Sequence, residues 1–287
     1  MDSTTRLRHR QVQVSYAWVI VGASFLTLMT TGGTRFGFGL FFKPIEESLG
    51  WDKTTLSIAV SINMIIYGVT LPMVGYLTDR HGPKRVILAS LLLAGLGMML
   101  LSQTRALWQL YLFYGVLVGI GTGGSAFVPI SALIARWFVR RRSLGMGVAF
   151  AGASAGQLVM IPLTLLLLTT TNWHVAFLVL GLGLVVVVAP AVLILVRETP
   201  GTTAAAAESA RSAFQATPSL SVRQALRTRT FWLLAGGFST CGFSVTTISI
   251  HLPSYVDDLG LSQGVAAAAL TVMGALSLTG SILAGLL

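Results

Sequence analysis

One arginine, Arg35, stands inside an apolar run at 16–42 whose other polar side chains nearby are threonines. A guanidinium presents paired donors that match a carboxylate with two parallel hydrogen bonds, so the position is a candidate anion grip. A charge inside an apolar span is a functional residue by default. The alternative is that Arg35, seven residues before Phe42, lies in the outer half of its run and snorkels to an interface. In later runs Asn63, Tyr67, Ser125 and Gln157 are candidate hydrogen-bonding partners for a ligand, although contacts between packed helices would use the same side chains equally well. His251 is a candidate carrier of a coupling proton, histidine being the side chain suited to that role near neutral pH, with a capping or interfacial role as the alternative.

Charge is otherwise concentrated in GYLTDRHGPKRV at 75–86, between two long apolar runs. Gly75 would permit a close helix approach, and Gly82 with Pro83 would turn the chain sharply. Asp79 is placed to pair with Arg80, with Arg136 or with the positive end of a helix dipole. Arg80, Lys84 and Arg85 would hold the turn at an anionic membrane surface.

These residues need elements to carry them, and the composition says which kind. Of 287 residues 54% are hydrophobic and only 10% charged, with mean hydropathy +0.80, whereas a soluble domain has roughly 45–50% apolar and 25% charged residues. The chain is expected to be an all-α polytopic membrane protein. Runs of spanning length fall near 16–42, 55–77, 86–103, 106–134, 144–168, 173–196, 231–255 and 264–287, which gives eight helices. The first run is too long for a cleaved leader and is followed by many more. Residues 1–15 read as an N-terminal tail, 16–196 as a six-helix bundle, 197–229 as an Ala/Ser/Thr-rich basic linker, and 230–287 as the start of a second bundle.

The nineteen lysines and arginines settle an expected orientation. Fifteen lie in the tail, in the 78–85 turn, in the 136–142 connection and in the linker; Lys43, Lys53 and Arg105 lie on the other side. By the positive-inside rule the N-terminus and linker are cytoplasmic. The basic clusters are short and sit between apolar runs, which fits a membrane surface rather than nucleic acid. The single cysteine, Cys241, excludes a disulfide within the chain and reads as a packing residue.

The third and sixth runs carry almost no polar side chain and are expected to face lipid as peripheral walls. The first, second, fourth, fifth and seventh carry polar groups and should surround a protein-lined or watery centre. Gly115, Gly119 and Gly123, and Gly152 with Gly156, recur at the four-residue spacing that lets helix backbones approach. Pro129 and Pro162 are expected to break or bend their helices. At an offset of 210 residues Leu49 and Gly50 correspond to Leu259 and Gly260, and Gly75 to Gly285, with Pro44 near Pro253 and acidic pairs at 46–47 and 257–258. This common order indicates a duplicated unit. Asp79 would map just past Leu287, so the chain is expected to be a fragment, about two thirds of a twelve-helix protein.

The residues Gly75, Leu77, Asp79, Arg80, Gly82, Lys84 and Arg85, with Thr78 as a small residue, resemble the helix 2–3 signature of the major facilitator superfamily. RFGFGLFFKPIEESLGW at 35–51 and PISALIARWFVRRRSLGMGVAFAGASAGQ at 129–157 are similar to its bacterial monocarboxylate and oxalate–formate-like branch. The resemblance implies a major facilitator fold, here a six-helix bundle plus the first two helices of a second. It also implies that the 75–86 cluster with Arg136 acts as a cytoplasmic latch between bundles. Mammalian members of that branch often carry an acidic–basic pair in helix 8, which the run 264–287 lacks.

His9, His81, His174 and His251 lie apart, and no HExxH, GxSxG or GxxxxGK[ST] motif occurs, so an enzyme or an ATP-driven pump is not expected. No cofactor or metal is implied. The expected function is that of a secondary active transporter moving a small organic anion such as a monocarboxylate by alternating access, with H+ as the coupling ion, in a bacterial inner membrane. The alternatives are a transport-inactive fragment, or a carrier of an uncharged or cationic solute.

Overall fold

The computed structural model describes residues 3–138, 142–196, 224 and 226–286. Among them eight helices are long and apolar enough to cross a membrane: α1 Tyr16–Leu49, α2 Lys53–His81, α3 Pro83–Leu101, α4 Leu107–Trp137, α5 Arg142–Thr170, α6 Trp173–Leu195, α7 Arg229–Asp258 and α8 Gly264–Leu283. All eight expected spans are present. The helix of α1 begins earlier, at Ser3, and tightens into a 3-10 turn over Gly37–Phe41. Most of the 197–229 linker lies outside the described residues.

The ends of the helices follow local chemistry. Asp52 caps α2, accepting hydrogen bonds from the Thr55 hydroxyl and, at 3.3 Å, from the Thr55 amide. These bonds, the hydroxyl's first, hold the Asp52 carboxyl below its ordinary value. Asn172 caps α6 by accepting from the Val175 amide at 2.9 Å. Gly82 takes φ +85°, and Pro83 then opens α3 at the one helical position where a missing N–H costs nothing. The 210-residue offset reappears in the backbone: Gly50 after α1 and Gly260 after α7 both have left-handed φ, +68° and +72°.

Pro129 breaks its helix, whereas Pro162 leaves its own unbroken. The ring of Pro129 would strike the carbonyl four residues back, that of Ser125, and α4 is interrupted at Ser125–Ala126 before restarting at Phe127. By contrast α5 runs unbroken through Pro162.

Close packing is carried by glycine, because lipid supplies no hydrophobic drive between helices and backbones must approach to gain contact. A Cβ on Gly115 would lie 2.7 Å from Ile62 Cγ2, and one on Gly119 3.3 Å from the Asn63 carbonyl oxygen, which locks α4 onto α2. Gly152 and Gly156 press α5 onto the Phe25 and Met29 carbonyls of α1. Gly75, in contrast, has only Val128 Cγ1 near its open side, at 3.9 Å, so it is not a site of close approach.

α3 stays peripheral, as expected, with Leu92 and Leu96 exposed, but its inner side is closely packed: half of its apolar window is buried, against 11% for α7. Gly95 and Gly181 bring α3 against α6, and Gly121 of α4 sits on Ala94. Small residues on α3, rather than polar ones, were the relevant signal. α6 does keep a broad outward face at Val186, Val187 and Ile194.

In the second unit α7 is buried at one end of the molecule only, whereas α8 also packs along α5 as far as Gly274 on Gln157. Ser249, Ile250, Pro253 and Val256 of α7 and Ala266, Ala267 and Leu270 of α8 are buried there. Gly39 packs directly on the Ile250 carbonyl, Lys43 Nζ lies 2.6 Å from Asp257 Oδ1, and Lys53 pairs with Asp258. A ring cluster fills the same end, with Phe38 stacked on Tyr114 at 3.6 Å and Phe41 on Phe177 at 4.0 Å. Towards the Asp79 end, Trp232, Leu233, Leu234, Phe238 and Phe243 of α7 are exposed, as are Cys241 and the polar Ser239, Thr240, Ser244 and Thr247. The seventh helix therefore borders the centre over half its length, and Cys241 is not a packing residue.

Candidate functional site

The polar side chains of α1 are mostly self-satisfied. The hydroxyls of Thr27, Thr30, Thr31 and Thr34 donate to carbonyls one turn back at 2.8–2.9 Å, which leaves Arg35 and, a few turns earlier, the buried Ser24 hydroxyl with donors to spare. Arg35 does not snorkel to an interface. It lines a cavity of about 170 Å³ to which α1, α2, α4, α5, α7 and α8 all contribute. Its guanidinium carbon lies 3.9 Å from the ring centroid of Tyr67, a cation–π contact, and Nη2 lies 2.7 Å from Met64 Sδ. A thioether is a weak acceptor. Arg35 Nε is buried with no hydrogen-bond partner, and no carboxylate pairs with the guanidinium among the described residues.

Gln157 enters the same cavity from α5. It is buried, its Oε1 has no partner, and its Cβ faces Gly274 of α8, where an added methyl would stand 2.7 Å away. The floor is apolar and partly aromatic: Phe36, Tyr67 and Phe127 line it, and Phe127 is braced edge-on by Phe150 at 4.9 Å. The interruption of α4 forms part of the wall, since Thr122, Ala126 and Phe127 flank it. Chemically this is a concave site with one unneutralised cation, one unsatisfied acceptor and apolar walls, which is the composition of a small-molecule site.

A family description matches residues 24–287, that of the Major Facilitator Superfamily. The chain belongs to this superfamily. Monocarboxylate transporter 13 of Rattus norvegicus is 32% identical over 134 residues, 47% of this chain and 31% of its own length. Monocarboxylate transporter 2 of Homo sapiens is 28% identical over 134 residues, 47% of this chain and 28% of its own length. The agnestins efflux protein AgnL12 of Paecilomyces divaricatus is 32% identical over 133 residues, 45% and 30% of the two chains. The match thus spans about a third of the length of these curated relatives. Membership in the superfamily and the eight apolar helices make the chain an integral membrane protein.

In this facilitator chain the remaining expected site residues are distributed as follows. Asn63 does not line the cavity: its Nδ2 donates to the Tyr114 carbonyl at 2.7 Å, a buried α2–α4 contact inside a π-helical stretch of α4. Ser125 is also fully buried away from it, donating to the Gly121 carbonyl at 2.9 Å. Both residues were equally readable as packing contacts, and packing is where they are used. His251 is exposed on α7, edge-on to Phe42 at 6.5 Å, and outside the cavity.

The signature turn is surface-exposed. Asp79 makes no ion pair with Arg80 or Arg136 among the described residues; Arg80 Nη1 donates to Tyr76 Oη at 3.3 Å. Lys84 Nζ donates to the Leu193 carbonyl at 2.9 Å, tying the start of α3 to the end of α6. Leu77 and Arg85 are exposed and Arg136 is half-buried. The lysine–aspartate pairs at the opposite end were not anticipated; the acidic pair at 257–258 and the lone lysines at 43 and 53 were the available signal.

Proposed function

We propose that this chain serves secondary transport of a small organic anion by alternating access, with Arg35 as the anion-binding group. The supporting observation is the Arg35 guanidinium: a cation inside the helix bundle, in a cavity, with a buried Nε that has no acceptor among the described residues. Holding such a charge unpaired is costly. A ligand carboxylate would accept from Nε and Nη together and offset that cost on binding. Tyr67 orients the guanidinium from one face, and Gln157 supplies a second polar point on α5. The reading is tested with the purified chain in nanodiscs and two isosteric probes, butyrate and butyramide. Calorimetry is expected to show the acid bound at least about tenfold more tightly, in line with about 1.5–3 kcal/mol for a hydrogen bond to a charged group. Equal binding of the amide would overturn the anion reading.

Support for alternating access comes from the uneven docking of the second unit. The Lys43 end is shut by ion pairs and ring packing, while the Asp79 end of α7 stands away from the first bundle. With the Lys43 end outside, by the positive-inside count, this is an inward-open arrangement. Asp79, Arg80, Gly82, Lys84, Arg85 and Arg136 would then form the latch of the opposite state. Reversing a charge at Lys43 or Asp257 is expected to loosen the closed end. Labelling of Thr31→Cys, in a Cys241→Ser background, by an impermeant maleimide from the outer face should rise about two- to fivefold in Lys43→Asp. It should fall back when Asp257→Lys is added. Unchanged labelling in the single variant would show that the pair does not help to close that end.

A further inference from the structure

Resting on the anion reading, we infer that the cavity selects a hydroxylated aromatic carboxylate over the two- and three-carbon acids. Size supplies the first argument. An enclosed apolar protein cavity of about 150 Å³ accommodates benzene, and this one, partly open and about 170 Å³, has room for a ring with its carboxylate directed to Arg35. An acetate- or lactate-sized anion would leave much of an apolar wall without contact, and the dispersion gained by filling it would be lost.

Wall chemistry supplies the second. Phe36, Tyr67 and Phe127 present three rings to the cavity from three different helices, and the edge-on contact with Phe150 holds Phe127 in place. Ring–ring contacts with an aromatic ligand add to simple area burial. Gln157 supplies the third argument. Its buried Oε1 accepts from no donor among the described residues, so a ligand carrying only a carboxylate would leave that acceptor unpaired. A phenolic hydroxyl donates to it and becomes the second fixed point. The backbone contacts of Gly152 and Gly156 with α1 hold the helix of Gln157 in register with that of Arg35. Gly274 leaves the space that the Gln157 side chain occupies.

The test is equilibrium binding to the wild-type chain in nanodiscs with acetate, L-lactate, benzoate, the three hydroxybenzoates and benzamide. At least one hydroxybenzoate is expected to bind tenfold or more tightly than lactate and about three- to tenfold more tightly than benzoate. In Gln157→Leu the hydroxyl advantage should disappear, so that benzoate and the hydroxybenzoates bind alike; the wild-type comparison of ligands stands alone if that variant does not fold. If lactate or acetate binds as tightly as every aromatic acid, the aromatic inference is overturned and the anion reading survives. Benzoate matching every hydroxybenzoate overturns the role given to Gln157. Benzamide binding as well as benzoate, or no binding of any acid, overturns the anion reading itself.

Discussion

Replacing Arg35 by glutamine is expected to weaken binding of a carboxylate about a hundredfold, the equivalent of losing about 3 kcal/mol of charge-assisted hydrogen bonding. Arg35→Lys should fall between, about tenfold weaker than wild type, because an ammonium keeps the charge but not the planar pair of donors. The same substitution has a second expected consequence that separates a binding role from a structural one. In the unliganded protein the guanidinium has a weak sulfur acceptor, an aromatic face and a buried Nε without a partner. Removing it relieves a desolvated charge, so thermal unfolding of the empty Arg35→Gln chain should occur at the wild-type temperature or above it. Calorimetric titration with butyrate and a thermal melt, done on one preparation, read both effects. Wild-type affinity in the variant, or a melt several degrees lower, would assign Arg35 to the architecture.

The largest effect on folding is expected at Gly156. A side chain there would drive into the Met29 carbonyl and stand 2.7 Å from the Gly33 amide nitrogen, and backbone on both sides cannot rotate away as a flexible side chain would. Gly156→Leu should therefore cost at least about 3 kcal/mol, at the upper end of overpacking penalties. The measurement is the fraction of monodisperse protein and its melting temperature in detergent. Gly22→Ala is the matched control on α1. Nothing lies within 4 Å of its added methyl, and the change should be neutral or stabilising by up to about 1 kcal/mol through helix propensity. A Gly156→Leu protein that melts with the wild type would mean that α1 and α5 do not approach as closely as the structure has them.

These two positions divide what is legible in a sequence from what is not. Eight helices and their approximate limits, an all-α membrane architecture and superfamily membership follow from local signals. Apolar length is set by bilayer thickness, Asp52 and Asn172 cap their own helices, and Gly82–Pro83 imposes its turn through its own covalent geometry. Even the correspondence of Gly50 with Gly260 is local in this sense: both take the same left-handed conformation because each ends its helix in the same way. Arg35 as a residue to look at was readable too, since a lone charge in an apolar run is costly wherever the run goes, and it lines the cavity.

Neighbours were not readable, because a side chain's partner depends on crossing angles and depths that no short window encodes. Asn63 and Tyr67 lie one helical turn apart on α2, yet the first is absorbed by the Tyr114 carbonyl and the second faces the cavity. Polar content marked α7 as central and α3 as peripheral. The cavity is indeed lined by α7 and not by α3, but the small residues that let α3 nest between α4 and α6 leave it the more buried of the two, which polar content did not tell. The attraction of Lys43 for Asp257 arises across 214 residues of chain, and only the meeting of the two units at one end brings those charges within 2.6 Å. The sequence by itself determined the rods, their caps and the charge that must be answered. The tertiary structure alone decided which glycines are contacts, which polar groups remain unsatisfied, and which end of the molecule is closed, since each of these is a property of two or more helices at once.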